Sequence, residues 1–150
     1  MRGVLALAAL AFALPLTATA QTDVPGGYEL VWADEFDGEG LPDPEKWAWD
    51  THANSIGWYN NELQYYAAER PENARVEDGR LIITARKESL QDRADWGGQG
   101  YTSARLITKG KAEWTYGFFE VRAKLPCGAG SWPAIWTLGA MQGWPDGGEI

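Results

Sequence analysis

The sequence predicts an all-β domain, a sandwich or a barrel, on two observations. Apolar and polar side chains alternate with a period of two in several short segments. In residues 117–124, Phe119 and Val121 alternate with Glu120 and Arg122, the pattern of a half-buried strand. Turn-forming stretches separate these segments, at residues 37–42, 97–100, 127–130 and 144–148. Short strands divided by glycine-rich turns favour the all-β class.

The individual elements follow from the same pattern. The predicted strands are residues 28–33, 63–66, 73–77, 80–86, 101–108, 117–124 and 134–138. Asp78-Gly79 separates two of them, and this dipeptide predicts a two-residue type I′ hairpin. Only residues 88–96 could hold a helical turn.

The N-terminus has the layout of a secretory signal peptide. Arg2 supplies a positive charge, residues 4–16 are apolar, and Ala18-Thr19-Ala20 provides small residues for cleavage. The apolar run is shorter than the roughly 20 residues that span a bilayer. We therefore predict that residues 1–20 are removed and that the protein is secreted or periplasmic, in preference to a buried N-terminal helix.

Composition narrows the function. The 150-residue chain carries 13 basic and 21 acidic residues, a net charge of −8, which disfavours nucleic acid and an anionic membrane surface as partners. One cysteine, Cys127, and one histidine, His52, disfavour a disulfide framework, a histidine metal site and a histidine-dependent triad. Nine tryptophans suit stacking on sugar rings, although we expect about half of them in the core.

The reactive groups that remain are carboxylates, which in a secreted, aromatic-rich β-protein indicate glycoside hydrolysis. Asp34, Glu35 and Asp37 lie among other acidic residues and have the pattern of a solvated turn. Glu149 instead follows residues 144–148, which bring the Trp144 indole close to a carboxylate at a strand start. On spacing alone, an ordinary surface glutamate remains the better interpretation of Glu149.

Six segments together resemble glycoside hydrolase family 16, in its bacterial laminarinase-like branch. They are residues 30–36 (LVWADEF), 60–66 (NNELQYY), 101–106 (YTSARL), 116–122 (YGFFEVR), 132–136 (WPAIW) and 148–150 (GEI). They follow the family's order and cover nearly all of residues 21–150. The resemblance implies a concanavalin A-like jelly-roll β-sandwich.

The family motif is a strand of the form Glu-x-Asp-x-x-Glu, in which the first Glu is the nucleophile and the last is the general acid/base. The resemblance assigns the nucleophile to Glu149, and the sequence stops at Ile150 before the other two positions. We therefore expect residues 21–150 to be the N-terminal portion of a catalytic domain, with an incomplete sandwich and no activity by themselves.

The resemblance also implies substrate-binding residues and the activity. The polar ones are Asn60, Glu62 and Arg105, and the indoles are Trp132, Trp136 and Trp144. Core packing is the alternative for Trp136, and a structural ion pair with Glu149 or Glu120 is the alternative for Arg105. The implied activity is retaining, endo-acting hydrolysis of β-1,3-glucan or mixed-linkage β-1,3-1,4-glucan. A non-catalytic, lectin-like sugar-binding sandwich is the rival function.

No cofactor is expected, and no metal site within this chain. Family members often hold a structural calcium through backbone carbonyls that match Glu35 and Gly79, together with a late Asp that this sequence lacks. The resemblance therefore leaves a structural calcium open only for the full-length protein. The oligomeric state has no sequence signal.

Overall fold

A computed structural model describes residues 24–150. The chain divides into two units, Met1–Leu30 and Val31–Ile150. In the described part of the first unit, the Tyr28 amide donates to the Pro25 carbonyl at 3.1 Å. The predicted signal peptide, residues 1–20, lies outside the described residues. Across residues 24–150, no helix has the length and apolar character needed to cross a membrane.

The second unit is built from short strands, as the alternation predicts. The strands are β1 (Ala48–Trp49), β2 (Gln64–Tyr66), β3 (Ala74–Val76), β4 (Leu81–Ile83), β5 (Tyr101–Ser103) and β6 (Leu106–Ile107). One 3-10 helix, Tyr59–Asn61, precedes β2, and the described residues contain no α-helix. The predicted all-β class is confirmed.

Three strand pairs organise this unit. Strands β1 and β6 pair antiparallel, β2 and β5 pair parallel, and β3 and β4 pair antiparallel. An antiparallel bridge between Arg86 and Thr102 joins the segment after β4 to the free edge of β5, and a bridge between Gly40 and Val76 extends the other side of the hairpin. Strand β5 therefore lies between β2 and the hairpin.

The predicted hairpin is confirmed at its turn. Asp78 and Gly79 have φ angles of 52° and 69°, the left-handed pair that a type I′ turn requires. Glu77 and Arg80 exchange backbone hydrogen bonds of 3.0 and 3.2 Å across it. Ala74 is then opposite Ile83 and Val76 is opposite Leu81, so turn chemistry sets the register of the whole hairpin.

Other predicted strands are shorter than expected or absent. Residues 101–108 break into β5 and β6, because the first part pairs with β2 and the second with β1. No strand occupies residues 28–33 or 117–124, and within residues 134–138 only Leu138 forms a bridge. Alternation identifies two faces of a segment, but a strand also needs a neighbour to accept its hydrogen bonds.

The prediction for residues 88–96 is also revised. Arg93 donates to the Leu90 carbonyl and Trp96 to the Arg93 carbonyl, so this segment forms successive turns. Conversely, β1 and the 3-10 helix were not predicted.

Small and polar residues make up much of the core. The buried apolar residues are Ala53, Trp58, Tyr65, Ala67, Ala74, Val76 and Ala104, and the buried polar ones include Asn54, Asn73 and Thr102. A second cluster forms where Trp32 makes edge contacts with Trp47 and Trp114, with ring centroids 5.5 and 5.6 Å apart.

Asp34 belongs to this second cluster and is not a solvated turn residue. Its Oδ2 accepts a 2.7 Å hydrogen bond from Trp47 Nε1, and its Oδ1 accepts one of 3.3 Å from Lys46 Nζ. The carboxylate therefore satisfies a packed indole, which the local acidic composition did not reveal.

Candidate active site

The candidate site is organised by a buried amide, Asn54. Its Nδ2 donates to the Tyr66 carbonyl and to Asp95 Oδ2, both at 3.0 Å. Its Oδ1 accepts from Trp58 Nε1 at 2.9 Å and from the Tyr66 amide at 3.0 Å. The side chain is fully buried and its donors and acceptor are all satisfied. The Asn54 side chain therefore joins strand β2 to the Trp58 ring.

Asp95 supports this arrangement from the turn that follows the hairpin. Tyr65 Oη donates to Asp95 Oδ1 at 2.7 Å, and burial together with this bond raises the pKa of Tyr65 to about 12. Burial opposes ionisation of Asp95, but the hydrogen bonds from Asn54 and Tyr65 outweigh it and lower the pKa of Asp95. The turn also lies close to the Asn54 backbone. A Cβ added to Gly97 would lie 2.5 Å from the Asn54 carbonyl oxygen, so only glycine fits at this position.

Arg105, one of the predicted binding residues, lies between two indoles. Its guanidinium carbon is 5.1 Å from the centroid of Trp58 and 5.0 Å from that of Trp136, within the roughly 6 Å of a cation–π contact. Its Nε is 3.0 Å from Asp50 Oδ2. That Nε forms no hydrogen bond with any described residue, so the contact with Asp50 is an ion pair without hydrogen-bond alignment.

The partner of Arg105 differs from the expected one. The sequence suggested Glu149 or Glu120, whereas the described ion pair is with Asp50. Pairing of β1 with β6 explains this, because the Asp50 amide donates to the Arg105 carbonyl at 3.0 Å just beyond the end of β1. These residues are 55 positions apart in the sequence, so no local pattern indicates the contact.

Glu62 is connected to the Trp58 indole through Tyr66. Glu62 Oε2 accepts hydrogen bonds from Gln64 Nε2 at 2.7 Å and from Tyr66 Oη at 3.4 Å. The Tyr66 ring meets Trp58 edge-on, with centroids 4.6 Å apart. Burial, and then the negative charge of Glu62, raise the pKa of Tyr66 to about 12. Tyr66 therefore stays protonated at neutral pH and donates to Glu62.

Asn60 lies in the 3-10 helix before Glu62 and is exposed. Asn60 and Asn61 have φ angles of 57° and 58°, in the left-handed region that asparagine tolerates better than most residues. The backbone therefore explains why asparagines occupy these two positions, and it leaves the Asn60 side chain at the surface.

Glu149 lies in a short ribbon near the C-terminus. Thr137 and Ile150 exchange backbone hydrogen bonds of 2.8 and 3.2 Å, and Leu138 is bridged to Glu149. Side chains directly opposite each other, or two apart on one strand, share a face. Glu149 therefore shares a ribbon face with Leu138 and Trp136, and Trp136 is the indole that contacts Arg105.

Glycines allow the chain to reverse between Leu138 and Glu149. A Cβ on Gly139 would collide with the Gly147 carbonyl oxygen, and a Cβ on Gly147 would collide with that of Gln142. Gly147 donates to Gly143 and Gly148 to Pro145, both at 3.0 Å. The resulting loop carries Trp144 at the surface.

The nine tryptophans divide into packed and exposed sets. Trp32, Trp47, Trp49, Trp58, Trp96 and Trp114 are buried or half-buried. Trp132, Trp136 and Trp144 are 70%, 42% and 71% exposed. The three exposed indoles are the ones that the resemblance implied for sugar binding. The structure brings Trp136 to Arg105, whereas Trp132 and Trp144 are the more exposed pair.

No described group of three or more His, Cys, Asp or Glu side chains could hold a metal ion. The structural calcium that the resemblance leaves open for the full-length protein stays a prediction.

Several known proteins that this chain resembles are β-glucanases. No family model matches. A β-glucanase from Rhodothermus marinus is 56% identical over 135 residues, which is 87% of this chain and 44% of the relative. A glucan endo-1,3-beta-glucosidase from Cryptopygus antarcticus is 42% identical over 149 residues, 93% of this chain and 50% of the relative.

Solved structures agree with these relatives. The crystal structure of a non-specific endo-beta-1,3(4)-glucanase from family GH16 has 61% sequence identity and a TM-score of 0.79, covering 81% of this chain and 46% of that one. The chain therefore belongs to glycoside hydrolase family 16, and the predicted jelly-roll fold class is confirmed. It spans about half the length of the curated relatives it matches.

Proposed function

We propose that the complete protein is an endo-acting β-glucanase that hydrolyses β-1,3-glucan or mixed-linkage β-1,3-1,4-glucan with retention of configuration. The relatives support this class of activity, being β-glucanases and endo-1,3-β-glucosidases by name. We further propose that the protein is exported, through the N-terminal segment predicted as a signal peptide. A β-glucan polysaccharide is then its substrate.

One observation carries the proposal: Glu149 shares a ribbon face with Trp136, which stacks on Arg105. The carboxylate therefore lies on the ribbon face that carries the indole, and the indole in turn contacts the guanidinium. In this proposal, Glu149 attacks the anomeric carbon and forms a covalent glycosyl-enzyme intermediate. A second carboxylate, about 5–5.5 Å away in retaining enzymes, protonates the leaving oxygen and then activates water.

The family motif supplies that second carboxylate five positions after Glu149. The two groups must be in opposite protonation states at one pH, so their environments must separate their pKa values.

The other predicted residues would bind and orient the glucan. The exposed faces of Trp132, Trp136 and Trp144 suit stacking on the apolar faces of glucose rings. The Asp50 carboxylate lies beside Arg105 Nε, and in this proposal the outer N–H groups of Arg105 donate to sugar hydroxyls. Asn60 and Glu62, on the turn before β2, add a donor and an acceptor.

The test is Glu149→Gln in the complete gene product. Amide and carboxylate have nearly the same size, so we expect laminarin hydrolysis to fall at least about a thousandfold while laminarin binding persists. Glu120→Gln is the matched control, because Glu120 is exposed and has no role in the proposal. A Glu149→Gln variant within tenfold of the parent would exclude Glu149 as nucleophile. A parent protein that binds glucan but releases no sugar would favour the lectin-like alternative.

A further inference from the structure

Asp50 contacts Arg105 through both its backbone and its side chain. Its backbone amide donates to the Arg105 carbonyl at 3.0 Å, and its Oδ2 lies 3.0 Å from Arg105 Nε. The other carboxylate oxygen, Oδ1, is 2.6 Å from His52 Nδ1. The Asp50 side chain is only 12% exposed, so this carboxylate is largely removed from water and has two named partners.

The two indoles beside Arg105 differ in their burial and hydrogen bonding. Trp58 is buried, and Asn54 accepts the hydrogen bond from its Nε1. Trp136 is 42% exposed and lies on the ribbon face that it shares with Glu149. Arg105 therefore lies between a buried, hydrogen-bonded indole and a partly exposed one, and its Nε is 3.0 Å from Asp50 Oδ2.

We propose that Asp50 is a positioning residue for glucan binding: it fixes the Arg105 guanidinium between Trp58 and Trp136 so that the outer N–H groups and the Trp136 face meet the same sugar. This role rests on the proposed glucanase function. Asp50 does not touch substrate. Without its charge, Arg105 keeps its cation–π contacts but can rotate about its side chain, and it must be ordered again when glucan binds.

The test is Asp50→Asn in the complete gene product, assayed on laminarin oligosaccharides. The amide preserves size and removes the charge. We expect KM to rise about tenfold, equal to about 1.4 kcal/mol, with kcat within about threefold of the parent. Asp50→Glu should recover part of the lost affinity. Asp92→Asn is the matched control: it makes the same change at an exposed aspartate, and KM should stay within twofold.

A double-mutant cycle tests whether Asp50 acts through Arg105. In an Arg105→Gln background, which removes the positive charge, Asp50→Asn should change KM by less than twofold, because the interaction is already lost. An undiminished effect of Asp50→Asn in that background would overturn the proposal. So would a loss confined to kcat and melting temperature with KM unchanged, which is the result expected of a purely structural residue.

A second measurement separates this proposal from the glucanase assignment. Asp50→Asn should shift the indole N–H resonance of Trp136 in the absence of sugar, because Arg105 moves relative to that ring. If the parent releases no sugar, the proposed function fails, and an unshifted Trp136 resonance would then also reject the role of Asp50. An active parent whose KM is insensitive to Asp50→Asn would reject Asp50 alone.

Discussion

The Trp58 indole donates its Nε1 hydrogen to the side-chain oxygen of Asn54 at 2.9 Å. Asn54 is fully buried, so this bond forms in a low-dielectric environment where an unmade bond is costly. Arg105 rests on the same indole. The geometry of the candidate site therefore depends on a polar network beneath it as well as on apolar packing.

Asn54→Ala should destabilise the protein strongly. The substitution leaves the Trp58 Nε1, the Tyr66 amide and carbonyl, and Asp95 without the partner that Asn54 supplied. A buried polar group left unsatisfied costs about 1–3 kcal/mol. We expect the free energy of unfolding, measured by chemical denaturation, to fall by about 3 kcal/mol or more, since several groups are affected.

Gln91→Ala is the control for this prediction, because it also removes an amide but from an exposed position. Its effect should stay within about 0.5 kcal/mol. A loss below about 1 kcal/mol for Asn54→Ala would mean that water replaces the network without difficulty.

Gly79→Ala should destabilise the hairpin through the backbone alone. Gly79 has a φ of 69°, and an added Cβ would meet nothing within 4 Å. The left-handed conformation costs an L-residue about 1–2 kcal/mol, so we expect the melting temperature to fall accordingly.

Gly100→Ala provides the comparison for the hairpin. A Cβ added at Gly100 would also meet open space, but Gly100 lacks a positive φ, and alanine there should be neutral or stabilising by up to about 1 kcal/mol. Equal melting temperatures for the two variants would contradict a type I′ turn at Asp78-Gly79.

Glu88 should make stability depend on pH in the acid range. The carboxylate accepts hydrogen bonds from Arg70 Nη1, Thr102 Oγ1 and Arg86 Nε. The bonds from Arg70 and then Thr102 lower the pKa of Glu88 from 4.5 to about 2. Because the folded pKa is the lower one, the stabilisation is fully present above pH 4.5 and is lost as the pH falls toward 2.

Melting temperatures between those pH values, compared for the parent and Glu88→Gln, test this dependence. The parent should lose stability more steeply on acidification than the variant, whose amide cannot titrate. The exposed Glu113, changed to Gln, should keep the parental slope. Parallel curves for the parent and Glu88→Gln would show that this carboxylate is not coupled to folding.

Part of the fold could be predicted because its causes are local. Alternation and turn chemistry predicted the all-β class, and Asp78-Gly79 predicted the hairpin, since the conformation of two residues sets its register. For the site, the assignment of Glu149 and of the binding residues rests on the motif resemblance. The structure adds that Trp136 stacks on Arg105, whereas Trp132 and Trp144 are more exposed.

Tertiary structure decided the remaining contacts, because their partners are distant in the sequence. The strand predicted at residues 117–124 alternates correctly but is not paired as a strand in the described part of the chain. Asp50 meets Arg105 only because β1 pairs with β6, and Asn54 meets Asp95 only where the turn near Gly97 packs on it. Periodicity and composition report what one segment prefers, whereas a ladder bond or a buried ion pair depends on which other segment lies beside it.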